Sequence, residues 1–214
     1  MYGQSEGAFM QRYLKPEEEK LLFKTVDSYG DVYSRRDAAW IRLLRYTGIR
    51  LKTLCGLTVG DAQDALRCGR LLVRADINKS HHNRAKGVTE RHGYEVFVTK
   101  KCRRALTDLL AIRREMGFAM IADESLLMSR NHRGITTRSC QLRFAHWVSV
   151  ANLPVKATPH WLRHTLGKAI VRNSTAKNPL GIVQQALGHL SVSSTGVYTR
   201  PDREDVELAM EEAC

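Results

Sequence analysis

Single prolines and glycines stand at the ends of apolar-periodic stretches, and this punctuation constrains the fold more than any other feature of the chain. Pro16 precedes Glu17-Glu18-Glu19, and Thr158-Pro159 and Asn178-Pro179 each place a cap residue before a proline at the first helical position. Proline is tolerated there because its missing N–H would be unpaired anyway, and carboxylates in the first turn favour the positive end of the helix dipole. Gly48 and Gly117 stand where a helix C-terminus favours a left-handed residue. The pattern predicts helices from Pro16, from Ser34 (with Asp37 three residues on, and Ala38, Ile41 and Leu44 on the apolar face) and from Leu51. It predicts further helices over 103–116, with Leu106, Leu109 and Leu110 on one face, and from about Thr137, Thr158 and Asn178. Near residue 70 the texture changes. Leu71-Leu72-Val73 and Tyr94-Glu95-Val96-Phe97-Val98 read as strands, and the polar, basic stretch 79–93 between them reads as a long hairpin tip. No internal repeat, low-complexity tract or Gly/Ser linker divides the chain. With 214 residues, 43% of them hydrophobic, the expectation is one domain, mainly α with a small antiparallel β-sheet.

Charge narrows the partner. The chain has 34 Lys and Arg against 22 Asp and Glu, a net of +12. Residues 1–64 and 151–214 each carry a net of only +1, while 65–150 carry 17 basic and 7 acidic side chains. The excess includes Lys100-Lys101-Cys102-Arg103-Arg104 and the series Arg130, Arg133, Arg138, Arg143. Any one such run is ordinarily a solvated surface; a regional imbalance of this size points to a phosphate-contacting face, which supplies salt-dependent affinity without reading sequence. Lys79, Arg84, Lys100, Lys101, Arg133 and Arg138 are the DNA-binding candidates. No run of 18 apolar residues marks a membrane span, and the start lacks a basic region followed by an apolar stretch, so a cytoplasmic protein with no membrane partner is expected. The five cysteines are scattered and fit neither a disulfide framework nor a zinc cage.

The motifs of phosphate-cradling loops, zinc proteases, serine hydrolases and dinucleotide folds are absent, as is any acidic cluster of a two-metal nuclease. Cleavage of nucleic acid by such a chain would need no metal and no cofactor, but cationic phosphate ligands, a general acid and a side-chain nucleophile. Three local patterns supply these residue types. Thr47-Gly48-Ile49-Arg50 puts an arginine just past a helix end. His160 and Arg163, three apart, share one face of a capped helix. Leu187-Gly188-His189 ends a helix, and Tyr198 follows nine residues later. Each alone has a plainer reading: a helical histidine is ordinarily surface or satisfied core, an isolated tyrosine is packing, and an arginine after glycine is a cap neighbour.

Together and in this order, the patterns resemble the catalytic domain of tyrosine recombinases, the phage-integrase family. The resemblance covers about residues 12–205 through Tyr46-Thr47-Gly48-Ile49-Arg50, Thr158-Pro159-His160-Trp161-Leu162-Arg163-His164-Thr165, and Gln184-Gln185-Ala186-Leu187-Gly188-His189 continuing to Val197-Tyr198-Thr199. It implies that Arg50 and Arg163 hold the scissile phosphate, with His189 as third ligand. It implies that His160 assists proton transfer from Tyr198, the nucleophile that forms a 3′-phosphotyrosyl link. The general acid it implies is a lysine in the hairpin tip: Lys86 before Gly87 is the best match and Lys79 the runner-up. Expected partners are double-stranded DNA sites, a homotetramer on DNA, and accessory DNA-bending or directionality proteins, with action at the nucleoid.

Some features depart from the family pattern. Thr53 stands where many members carry an acidic residue three positions after the first arginine, which puts the support of Arg50 in question. The interval from Arg163 to His189 is a few residues long. Arg50 comes too early to leave room for the usual N-terminal DNA-binding domain, so the chain also resembles the short recombinases that invert fimbrial switches. The expected organisation is an extension over 1–11, a catalytic domain over 12–199 and a helical tail over 200–214, packed either on its own domain or on a neighbouring protomer. A type IB topoisomerase is a rival reading, disfavoured by His160 where that family carries lysine. A non-catalytic DNA-binding regulator is another.

Overall fold

The computed structural model describes residues 13–78, 81–83, 88–90, 92–189, 195–198 and 203–213. In chain order the elements are α1 (Pro16–Asp27), α2 (Val32–Thr47), α3 (Leu51–Cys55), α4 (Val59–Cys68), β1 (Arg70–Val73), β2 (His81–Asn83), β3 (Val88–Glu90) and β4 (Tyr94–Phe97). Then follow α5 (Lys100–Glu115), α6 (Thr137–Val150), α7 (Pro159–Asn173), α8 (Pro179–Leu187), a single 3-10 turn (Gly196–Tyr198) and α9 (Arg203–Ala213). The mainly helical expectation holds. β1 and β4 pair antiparallel, Leu71 opposite Val96, with their inward side chains buried. Within 79–93 the structure adds what the sequence did not suggest: β2 and β3 pair as a second, separate ladder, His82 opposite Thr89.

Local chemistry sets the helix ends. Asp31, rather than Ser34, caps α2, its carboxylate accepting from the backbone N–H groups of Tyr33 and Ser34 at 3.0 and 3.1 Å. Ser34 lies inside the first turn, and Asp37 is fully buried. α5 starts at Lys100 rather than 103 because Thr99 caps it, its hydroxyl accepting from Cys102 N–H. α4, which the apolar period does not announce, is framed by a reciprocal Thr58/Asp61 cap and by Gly69 at φ +72°.

α2 is the central helix. Trp40, Ile41, Leu43 and Leu44 on it pack with Leu106 and Leu109 of α5, Phe144 and Trp147 of α6 and Leu162 of α7 in one continuous core. A second, smaller apolar cluster joins Val183 and Leu187 of α8, Leu166, Ile170 and Val171 of α7, and Tyr198. Tyr198 is therefore docked by hydrophobic burial on the seam between α7 and α8. No described helix is long and apolar enough to cross a membrane.

Candidate functional site

Two helix ends meet at this seam. α2 stops at Gly48 (φ +64°) and α8 at Gly188 (φ +61°), both left-handed positions that favour glycine. A Cβ at Gly48 would lie 2.4 Å from Leu187 Cδ2 and 3.0 Å from Leu166 Cδ2, so a side chain there would have to displace buried leucine methyls. Arg163, buried in the first turns of α7, spans the junction: its guanidinium donates to the carbonyl of Gly48 and, at 2.7 Å, to that of Leu187. The negative ends of two helices thus hold one buried cation. This is the physical content of the Gly48 and Gly188 motifs, which bracket the arginine from positions far apart in the chain.

Arg50 caps α3 through its backbone, and its side chain runs to a different partner from the one the family pattern suggests. Its Nη1 donates to Asn78 Oδ1 at 3.1 Å, and Asn78 Nδ2 donates to the carbonyl of His92 at 2.7 Å. Thr53 is buried and donates to the carbonyl of Ile77 at 3.4 Å. The support in question at Thr53 is therefore supplied by the neutral amide of Asn78, 28 residues away, which orients the guanidinium without neutralising it. Burial, then the neighbouring Arg163 charge, lower the Arg50 pKa, against a smaller opposing pull from Tyr94 and Tyr198.

The remaining predicted residues converge here. His189 lies just past α8, its ring stacked parallel to Tyr198 (9° between planes, centroids 6.1 Å apart). Its Nδ1 is 3.0 Å from the hydroxyl of buried Thr195. Burial, reinforced by the charges of Arg163, Arg50 and His160, pushes its pKa down to about 4, so the imidazole is neutral near pH 7. Tyr198 is 3% exposed. Burial raises its pKa, opposed by the Arg163 charge, a hydrogen bond with Arg163 and the Arg50 charge. The charges of Arg163 and Arg50 thus reach its hydroxyl. His160 is exposed at the start of α7, 4.5 Å between centroids from His164, whose ring is 5.5 Å from that of Tyr198.

Arg50, the α7 pair His160 and Arg163, His189 and Tyr198 are thus brought together from four separate places in the chain. Lys79, Arg84 and Lys86 lie outside the described residues. Lys100 and Lys101 are exposed in the first turn of α5, and Arg133 and Arg138 are exposed before and at the start of α6. None of the four lies on an element carrying the cluster. Part of the basic middle region has internal duties: Arg74 pairs with Asp61, Arg113 with Glu124 and Arg143 with Asp37.

Four contributors were not singled out from sequence: Asn78, His164, Gly167 and Thr195. An ideal Cβ at Gly167 would lie 2.4 Å from the Tyr198 ring, so only glycine in α7 leaves room for that ring. Its sole sequence signal is a glycine inside a helical pattern, which ordinarily costs stability and so points to a packing reason. No group of three or more His, Cys, Asp or Glu among the described residues is placed to hold a metal ion. Chemically, the arrangement can hold an oxyanion between two fixed guanidiniums and present a phenol oxygen to it.

The same architecture occurs in solved recombinases. The structure superposes on XerA recombinase with a TM-score of 0.72 at 26% identity, covering 95% of this chain and 66% of that one. It also matches the Tn1549 transposon integrase, solved with transposon right end DNA, at a TM-score of 0.71 and 19% identity, covering 98% and 68%. The fold is that of tyrosine recombinase catalytic domains. Residues 12–205 match the model of the phage integrase family, and the chain belongs to that family. Over 199 residues it is 27% identical to tyrosine recombinase XerC of Listeria welshimeri, covering 92% of this chain and 60% of that protein. Against XerC of Azotobacter vinelandii it is 29% identical over 209 residues, covering 92% and 62%. The chain thus spans about 60% of the length of the curated relatives it matches.

Proposed function

We propose that the chain is the catalytic unit of a site-specific DNA recombinase that cuts and rejoins duplex DNA through Tyr198. The observation that carries this reading is the buried Tyr198 ring, stacked on His189 and docked on the seam where Arg163 spans the ends of α2 and α8. Arg50 and Arg163 bind the non-bridging oxygens of the scissile phosphate, with His189 as a neutral third ligand. Tyr198 Oη attacks phosphorus and passes its proton to His160. The P–O5′ bond breaks as the tyrosyl–phosphorus bond forms, and the 5′-oxygen leaves as a hydroxyl with a proton from the hairpin lysine, Lys86 or, failing that, Lys79. Because the covalent link conserves the energy of the phosphodiester, attack by the 5′-hydroxyl of a second duplex reseals the strand without ATP or cofactor.

In this reading 1–11 is an extension, 12–199 the catalytic domain and 200–214 a tail that docks on a neighbouring protomer in a homotetramer assembled on DNA. The exposed Ala209 and Met210 on α9, among Glu207, Glu211 and Glu212, support that role for the tail. Accessory DNA-bending or directionality proteins supply site choice, and the protein works in the cytoplasm at the nucleoid. A nicked duplex carrying the target site, whose cleaved strand loses a short fragment, tests the chemistry by trapping the covalent intermediate. Wild type accumulates a protein–DNA adduct and Tyr198→Phe accumulates none. Wild type without adduct on any recombining site would favour a DNA-binding regulator, and relaxation of plasmids that lack paired sites would favour a topoisomerase.

A further inference from the structure

Tyr94, the first residue of β4, has no part in the chemistry described so far, yet its ring packs on the glycine that borders the site. Its ring lies against the backbone of Gly188, where an added Cβ would come within 2.7 Å of the ring carbons. Gly188 directly precedes His189 and ends the helix whose last carbonyl holds Arg163. The ring is therefore locked between the hairpin and the seam that carries the cluster. At its far end the hydroxyl is buried and has no hydrogen-bond partner among the described residues. A buried hydroxyl in that condition has lost its water without gaining a partner, and such groups in native proteins call for a reason. Tyr94 is also one of the groups whose electrostatic influence reaches Arg50.

We propose that the Tyr94 hydroxyl is a further phosphate ligand of the site, donating its proton to a non-bridging oxygen of the scissile phosphate beside Arg50. The inference rests on the reading of Arg50 and Arg163 as phosphate-binding groups. A phenol suits the position because it adds a donor without adding a third fixed charge between two guanidiniums. As Tyr198 attacks, negative charge grows on the non-bridging oxygens, and a neutral donor aimed at them strengthens its bond in the transition state more than in the ground state. The hydroxyl therefore affects the rate of cleavage more than the affinity for DNA.

Tyr94→Phe tests this directly, since it keeps the ring on Gly188 and removes one oxygen. On a nicked duplex that wild type converts to adduct, the variant at saturating protein should form adduct roughly 10- to 100-fold more slowly, between the worth of an ordinary hydrogen bond and that of an oxyanion donor. Its Kd for the same DNA should stay within about threefold, and its Tm should be equal or higher because an unpaired buried polar group is gone. On duplexes with a methylphosphonate at the scissile position, the gap between wild type and variant should close for the diastereomer lacking the contacted oxygen. Cleavage by Tyr94→Phe at the wild-type rate overturns the inference. So does a slow variant whose Tm falls in step, since that marks lost packing. A wild type that forms no adduct at all overturns the recombinase reading and this inference with it, whereas an active wild type with an equally active variant overturns this inference alone.

Discussion

Gly167 shows how one residue can serve a site against its own secondary structure. Glycine in a helix interior costs about 1 kcal/mol relative to alanine, so Gly167→Ala ought to steady α7. Yet the new methyl would meet the Tyr198 ring at 2.4 Å. The expected result is an unfolding midpoint within a few degrees of wild type and adduct formation slower on the order of 100-fold, as when a nucleophile is misplaced by about an ångström; differential scanning calorimetry and the nicked-duplex assay check the two halves separately. His189 makes a second residue-scale prediction. With a folded pKa of about 4 against an ordinary 6.5, it binds a proton in the unfolded chain that it lacks in the folded one between those values. Stability from this group therefore rises with pH across that window and is lost as pH falls through it. His189→Asn should flatten that part of a stability-versus-pH curve measured by urea unfolding. Arg50, His160, Arg163, His189 and Tyr198 were proposed from short motifs with recognisable order, and the structure brings these candidates near one another. Asn78, Thr195 and Gly167 were not proposed, because each acts on a partner that no local spacing connects to it.

At the scale of elements, the junction of α2 with α6 hangs on one carboxylate. Asp37 accepts from the indole N–H groups of Trp40 and Trp147 at 3.1 and 3.0 Å, from Arg36 at 2.9 Å and from Arg143 at 2.6 Å. It is fully buried, and Arg36 nearly so. Asp37→Ala would leave the buried Arg36 charge without a carboxylate, its carbonyl partner at Met128 remaining, and two indole donors unmatched, at a cost of roughly 3–5 kcal/mol; urea unfolding should register it, and a loss under 1 kcal/mol would contradict the account. The sequence reading placed Asp37 beside a helix start because acidic residues three apart from a serine ordinarily belong to caps. Asp31 was the better-placed cap, and burial gave Asp37 its other use. Most helix starts were readable because capping and proline chemistry act within four residues. The second ladder between β2 and β3 was not, since pairing across a basic hairpin depends on cross-strand partners that composition does not reveal.

For the whole molecule, net charge overstates the number of cations free to meet a polyanion, because folding commits some of them to internal ion pairs. Arg74, Arg113 and Arg143 are committed to carboxylates within the domain, whereas Lys100, Lys101, Arg133 and Arg138 remain exposed. If Arg138 meets a DNA phosphate, Arg138→Ala weakens binding equally for all sequences and reduces the slope of log Kd against log salt by about 0.9; an unchanged slope in fluorescence titrations removes it from the interface. The order of residues along the chain was enough to establish a helical domain, where most of its helices begin and stop, and which side chains to propose for phosphate chemistry, because those properties arise from neighbours a few positions apart. Packing was needed to bring Arg163 onto the carbonyl of Gly48, 115 residues distant, and Arg50 onto Asn78. It was also needed to sink Tyr198 onto Gly167. Such meetings depend on how apolar faces close over one another, and that information is spread through the entire core rather than written at the residues that meet.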